Sequence, residues 1–189
     1  AGRSGGGLDV RVSSITMTNN VIADNFGRQK GAGILAEGTQ LDLLYTTIAR
    51  NTGDEGDGVH VTGYTWVTTD YSSTINFHNN ILVSHTVGIT VTGGNTVTAA
   101  GILWYNTPLT VTHAATATVS LDNQHTGDPA FSTDGYHLTE ISAAIDKGQS
   151  NWVSFDLDGE PRFGAPDLGA DEYWLPGEVK RIYLPVSLR

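Results

Sequence analysis

Apolar positions along this chain alternate in short runs and never settle into a helical stripe. Four segments carry the alternation, residues 15–22, 41–48, 75–82 and 97–103, with apolar side chains at 15/17, 41/43, 75/77 and 97/99. Near a polar pair such as Asn19-Asn20 or Asn79-Asn80 the alternation breaks, and apolar residues then resume. A period of two, a polar corner and a second apolar run predict two short strands joined by a bend.

A glycine signal precedes each segment. It reads Gly5-Gly6-Gly7-Leu8, Gly31-Ala32-Gly33-Ile34, Gly56-Asp57-Gly58-Val59 and, weakened, Thr86-Val87-Gly88-Ile89. The last glycines of these signals stand at 7, 33, 58 and 88, giving steps of 26 (33−7), 25 (58−33) and 30 (88−58). A step in the twenties without helical periodicity is the signature of a solenoid. With about three strands per repeat the expectation is an all-β chain, a parallel β-helix of about four rungs stacked at roughly 4.8 Å. Asn20 with Asn80, and Asn25 with Asn51, occupy matching corners. They are expected to form side-chain ladders or to act singly as turn formers.

The stretches GGGLDVRVSSITMTNNVIADN and GAGILAEGTQLDLLYTTIARN resemble rungs of the right-handed parallel β-helix proteins of the pectate-lyase-like kind, in their bacterial secreted and surface members. The resemblance runs from residue 5 to about 120 and implies a right-handed coil. Beyond it come Gly127-Asp128-Pro129-Ala130-Phe131, Gly135-Tyr136-His137-Leu138, Ser142-Ala143-Ala144-Ile145-Asp146-Lys147-Gly148, Asp156-Leu157-Asp158-Gly159-Glu160-Pro161-Arg162 and Asp167-Leu168-Gly169-Ala170-Asp171-Glu172-Tyr173. That succession resembles the "choice-of-anchor" region that closes bacterial surface β-helix proteins, and it implies an extracellular or cell-surface location. The ending Tyr183-Leu184-Pro185-Val186-Ser187-Leu188-Arg189 is similar to endings in secreted proteins of filamentous green non-sulfur bacteria. The expected organisation is therefore rungs over 1–120, an irregular capping region over 121–174 and a terminal strand within 175–189.

Composition narrows the function classes. The chain of 189 residues is 39% apolar and 16% charged, with a formal net charge of −10 and no cysteine. That charge disfavours binding to a nucleic-acid backbone, and the lack of cysteine excludes disulfides and thiolate chemistry. No apolar run is long enough for a membrane helix. The chain begins at Ala1 with neither initiator Met nor signal peptide, as expected of a processed or cut product.

Candidate chemistry is sparse. Asp156, Asp158 and Glu160 around Gly159 offer hard oxygens on a tight turn, suited to Ca²⁺, although a complete calcium site takes more oxygens. A solvated Asp-rich turn that caps local N–H groups explains the same residues. Asp54, Glu55 and Asp57 form a second acidic corner, read as a solvated turn. Histidines 60, 78, 85, 113, 125 and 137 offer no His-x-His or His-x-x-x-His pair, so transition-metal binding is not expected. Before Lys147 the only basic residues are Arg3, Arg11, Arg28, Lys30 and Arg50. That is a poor supply for the proton abstraction of a polysaccharide lyase, and an enzyme is not expected.

Two features point to binding or assembly. The link between the first and second strands is longest in the third repeat, where residues 62–74 hold Tyr64, Trp66 and Tyr71. Aromatics on such a loop can stack on a surface polysaccharide, anchor a protein, or fold down on the flank. Only Ala1-Gly2-Arg3-Ser4 precedes the first rung, so its strand edge around Leu8 and Val10 is expected to meet another chain. Residues 178–189, with Val179, Ile182, Leu184, Val186 and Leu188, are the expected donor strand. A head-to-tail contact of that kind would build a homo-oligomer or filament. The leading expectation is an extracellular structural protein that assembles in this way or serves as a surface module; a carbohydrate-binding adhesion module is the alternative.

Overall fold

A computed structural model describes residues 5–174. The tail expected to supply a strand, including Val179, Ile182, Leu184, Val186 and Leu188, lies outside the described residues. Within them the chain is all-β, a parallel solenoid of about five turns. The first turn carries β1 (Leu8–Arg11), β2 (Ser14–Thr18), β3 (Val21–Ala23) and β4 (Phe26–Gly27). The second carries β5 (Ile34–Glu37), β6 (Gln40–Leu44), β7 (Thr47–Ala49) and β8 (Thr52–Gly53). In the third, β9 (Asp57–Thr62) leads through a hairpin, β10 (Tyr64–Trp66) and β11 (Thr69–Tyr71), into β12 (Thr74–Val83). The fourth holds β13 (Val87–Val91) and β14 (Thr96–Tyr105), and the fifth β15 (Leu109–His113) and β16 (Thr118–Thr126).

Two parallel sheets follow from this stacking, one in the order β1-β5-β9-β13-β15 and one in the order β16-β14-β12-β6-β2. Between them Ile34, Leu41, Leu43, Ile48, Ile75, Phe77, Ile89 and Ile102 are completely buried. Burying each such side chain contributes about 1.5–3 kcal/mol. The alternation at 41/43, 75/77 and 97/99 is this inward face.

The glycine signal has a steric cause. Pairing aligns Leu8 with Ile34, Ile34 with Val59, and Val59 with Ile89, so Gly7, Gly33, Gly58 and Gly88 form one column. A Cβ at Gly33 would lie 2.5 Å from the Gly58 carbonyl oxygen, one at Gly58 2.8 Å from that of Gly88, and one at Gly88 2.6 Å from that of Thr110. Each glycine makes room for the turn stacked on it.

Corners repeat as columns too. Asn19, Tyr45, Asn79, Gly101 and Asn123 occupy equivalent positions, all with φ between 49° and 82°. Asn and Gly suit that left-handed region, whereas Tyr45 adopts it against its own preference. Of the two expected ladders, Asn25–Asn51 forms directly, with Asn25 Nδ2 donating to Asn51 Oδ1 at 2.9 Å. The other is interrupted, because Thr46 stands between Asn20 and Asn80 and donates its N–H to Asn80 Oδ1 at 2.8 Å.

After β16 the chain turns back and packs as an irregular lobe along the solenoid flank. Leu138, Ala144 and Leu168 bury against Ala49, Ile81, Val83 and Leu103. Asn19 Nδ2 donates to the Phe155 carbonyl at 2.7 Å, Asn79 Nδ2 to that of Gln149 at 2.7 Å, and Asn123 Nδ2 to that of Lys147 at 3.2 Å. The region expected to close the solenoid thus runs lengthwise and touches all of its turns.

Candidate ligand-binding face

The long link of the third turn is an antiparallel hairpin in which Tyr64 pairs with Tyr71, Thr65 with Asp70 and Trp66 with Thr69. Directly opposed residues project to one side of a ribbon. Tyr64, Trp66 and Tyr71 therefore share one face, and Thr65 and Asp70 take the other, joined by a 2.8 Å hydrogen bond from Thr65 Oγ1. The hairpin root is fixed by buried polar contacts. Ser73 Oγ donates to the Thr62 carbonyl at 2.7 Å, and Ser73 N–H donates to Asn95 Oδ1 at 2.7 Å. Gly38 lies beneath, where a Cβ would stand 2.8 Å from the Cβ atoms of both Tyr64 and Tyr71.

On the aromatic side, Tyr64, Trp66 and Tyr71 join Arg11 and Val12 around a cavity of about 320 Å³. The Tyr64 and Trp66 rings lie 6.4 Å apart with planes 19° from parallel. Trp66 is 63% exposed and Tyr71 38%, whereas Tyr64 is half-buried over the hairpin root. Arg11 brings charge to the rim through Nε and Nη2, each 2.8 Å from an Asp9 carboxylate oxygen, with Glu37 3.0 Å from Nε. The opposite side of the hairpin faces a second concavity of about 420 Å³, bordered by polar groups including Thr65, Asp70, Ser72 and Asn95. Planar apolar surface beside oriented polar groups suits a ligand with both an apolar face and hydroxyls.

The expected calcium ligands do not converge. Asp156 is buried and serves the backbone, its Oδ1 accepting N–H groups of Asp158 at 2.9 Å and Glu160 at 2.7 Å and its Oδ2 that of Glu172 at 3.1 Å. This is the turn-capping role. Burial raises its pKa, with the backbone N–H groups opposing. Asp158 turns away to His137 Nε2 at 2.6 Å, and Glu160 is half-buried at the far end of the turn. Desolvation alone would lower the His137 imidazole, but hydrogen bonds to Asp134 and Asp158 outweigh it and raise the pKa to about 9. Desolvation also lifts Asp171 and Glu172 to about 7. No His-x-His or His-x-x-x-His spacing singles out His137 in the sequence, although Asp134 three residues before it is a visible signal.

Of the residues expected at an assembly edge, Val10 points into the core and is buried, while Leu8 packs partly against it. Among the described residues no helix is long and apolar enough to cross a membrane. No family model, curated protein or solved structure matches this chain.

Proposed function

We propose that the chain is a carbohydrate-binding module, with the hairpin of the third turn as its platform. One observation carries this reading: Tyr64, Trp66 and Tyr71 stand on one face of a hairpin with a fixed root, beside the ion-paired Arg11. The apolar C–H face of a sugar ring stacks on such side chains, and its hydroxyls meet the polar rim. A polysaccharide at a cell surface or outside the cell is the fitting partner, in keeping with the resemblance to secreted and surface β-helix proteins. The proposed activity is binding without turnover. A glycan array probed with labelled protein tests it, the expected result being retention of a polysaccharide that weakens at least about tenfold in Trp66→Ala. Retention unchanged in Trp66→Ala, or none on any glycan, would refute the assignment.

End-to-end assembly is the second reading, favoured by the terminal strands. Among the described residues β1 and β15 each pair on one side only, with Val12 and Ile15 exposed at one end and Leu109 and Leu121 at the other. Sedimentation across a wide concentration range distinguishes the two, since a monomer throughout rules assembly out.

A further inference from the structure

We propose that the aromatic face takes an uncharged polysaccharide and discriminates against chains bearing carboxylates, an inference that rests on the carbohydrate-binding reading of this face. The charges around the platform carry it. Arg11 is the only basic side chain among the described residues lining either concavity of the hairpin. Its charge is already countered twice. Asp9 lies against the guanidinium edge, with Oδ1 2.8 Å from Nε and Oδ2 2.8 Å from Nη2. Glu37 Oε2 stands 3.0 Å from the same Nε.

Parallel N–H groups on one edge are what a guanidinium offers an incoming carboxylate. Here Asp9 holds the Nε–Nη2 edge, so an acidic sugar would have to displace it. The arrangement is set by the sheet. Asp9 and Arg11 stand two residues apart on β1, and pairing with β5 places Arg11 beside Glu37. Glu37 is only 1% exposed, so solvent does little to screen its charge.

A cation fares no better at the cavity wall. Arg11 lines the cavity, whereas Asp9 and Glu37 do not, so an ammonium sugar would meet the guanidinium before its counter-ions. The remaining lining suits apolar contact. Val12 is 45% exposed and joins the three rings around the cavity. An ionised group pressed against that surface loses water and gains no partner. Across the hairpin the polar groups are already bonded among themselves, Thr65 Oγ1 donating to Asp70 at 2.8 Å and Thr92 Oγ1 to Thr62 Oγ1 at 3.0 Å. Their oxygens can still accept from sugar hydroxyls.

Retention of the full chain on neutral glucans, mannans and galactans, and on each polymer after oxidation of its C6 hydroxymethyl groups to carboxylates, tests this. At least one neutral polymer should be held in a Trp66-dependent way, and its oxidised form at least about tenfold more weakly. Asp9→Ala uncovers the guanidinium edge and should narrow that ratio at least about threefold, with thermal unfolding verifying that the variant is folded. Equal or tighter retention of the oxidised polymer, lost in Trp66→Ala, would overturn this inference and leave the platform standing. An unaltered ratio in folded Asp9→Ala would equally remove the ion pair as its cause. Retention of no polymer, or retention unchanged in Trp66→Ala, would instead remove the platform itself and this inference with it.

Discussion

Asn51 Nδ2 lies 3.3 Å from His85 Nε2 inside a buried corner of the solenoid. The contact continues the Asn25–Asn51 ladder into the third turn, with His85 standing where a further Asn would stand. An amide N–H donates to the imidazole only if Nε2 is unprotonated. Burial enforces that state, holding the His85 pKa down to about 4 against a weaker opposing pull from Asp57.

Acid should therefore weaken the fold through this one ring. The folded pKa lies below the unfolded value of 6.5. Protons then bind the unfolded chain preferentially between those values, and stability is complete above pH 6.5 and declines as pH falls to about 4. The gap corresponds to about 3 kcal/mol. Denaturant unfolding of wild type and His85→Asn across that window provides the test, because subtracting the variant removes contributions from other titrating groups. Parallel pH profiles for the two proteins would contradict it.

Stacking predicts the response of the glycine column. Gly58→Ala places a Cβ 2.8 Å from the Gly88 carbonyl oxygen and 3.1 Å from the His85 ring, and neither the stacked backbone nor the buried ring can yield cheaply. A loss of about 1–3 kcal/mol is expected. Gly94, by contrast, has φ +77° and nothing within 4 Å of its would-be Cβ, so Gly94→Ala incurs backbone strain alone, about 1 kcal/mol. Thermal unfolding of the two variants should separate crowding from strain.

That column also explains what the sequence could and could not reveal. A glycine is required where a further turn overlies it, and this made the repeat visible at residues 7, 33, 58 and 88. Thr110 holds the equivalent place in the fifth turn, where among the described residues no further turn stacks, so a side chain is tolerated and that turn carries no glycine signal. Hairpin length was legible at 62–74, but the shared aromatic face depends on the register of Tyr64 with Tyr71. The His137 cluster was hidden because its partners stand at 158 and 171, joined only by the path of the lobe.

Arg162 should prove the main tie between lobe and solenoid. Its guanidinium lies 4.0 Å above the Tyr45 ring and donates to Glu172 at 3.0 Å, to the Gly169 and Ala170 carbonyls at 3.0 and 2.9 Å, and to Asn19 Oδ1 at 3.2 Å. Arg162→Met would strip Glu172 of its buried counter-charge and the Gly169 carbonyl of the guanidinium donor, leaving Glu172 only the Asp167 N–H at 2.9 Å and the Phe163 N–H at 3.4 Å, a loss of about 3–5 kcal/mol. Arg162→Lys should recover little, since an ammonium cannot reproduce the planar fork. Hydrogen exchange is expected to accelerate across residues 127–174 while β6, β12 and β14 stay protected. Uniform acceleration throughout the chain would show instead that lobe and solenoid unfold as one unit.

The aromatic platform can be displaced without altering an aromatic residue. Gly38 has φ +58°, and its Cβ would collide with those of Tyr64 and Tyr71, each at 2.8 Å. Gly38→Ala combines left-handed strain with a clash at the hairpin root, an expected loss of about 2–3 kcal/mol. Trp66→Ala removes a mostly exposed ring and should leave stability within about 0.5 kcal/mol of wild type. The two variants thus reach the platform by different routes, one by moving it and one by removing its largest stacking surface. If the face binds sugar, both lose polysaccharide retention, while unfolding temperature falls only in Gly38→Ala. Retention that tracked stability, lost in Gly38→Ala and kept in Trp66→Ala, would mean that the ligand reads the solenoid and not the aromatic face.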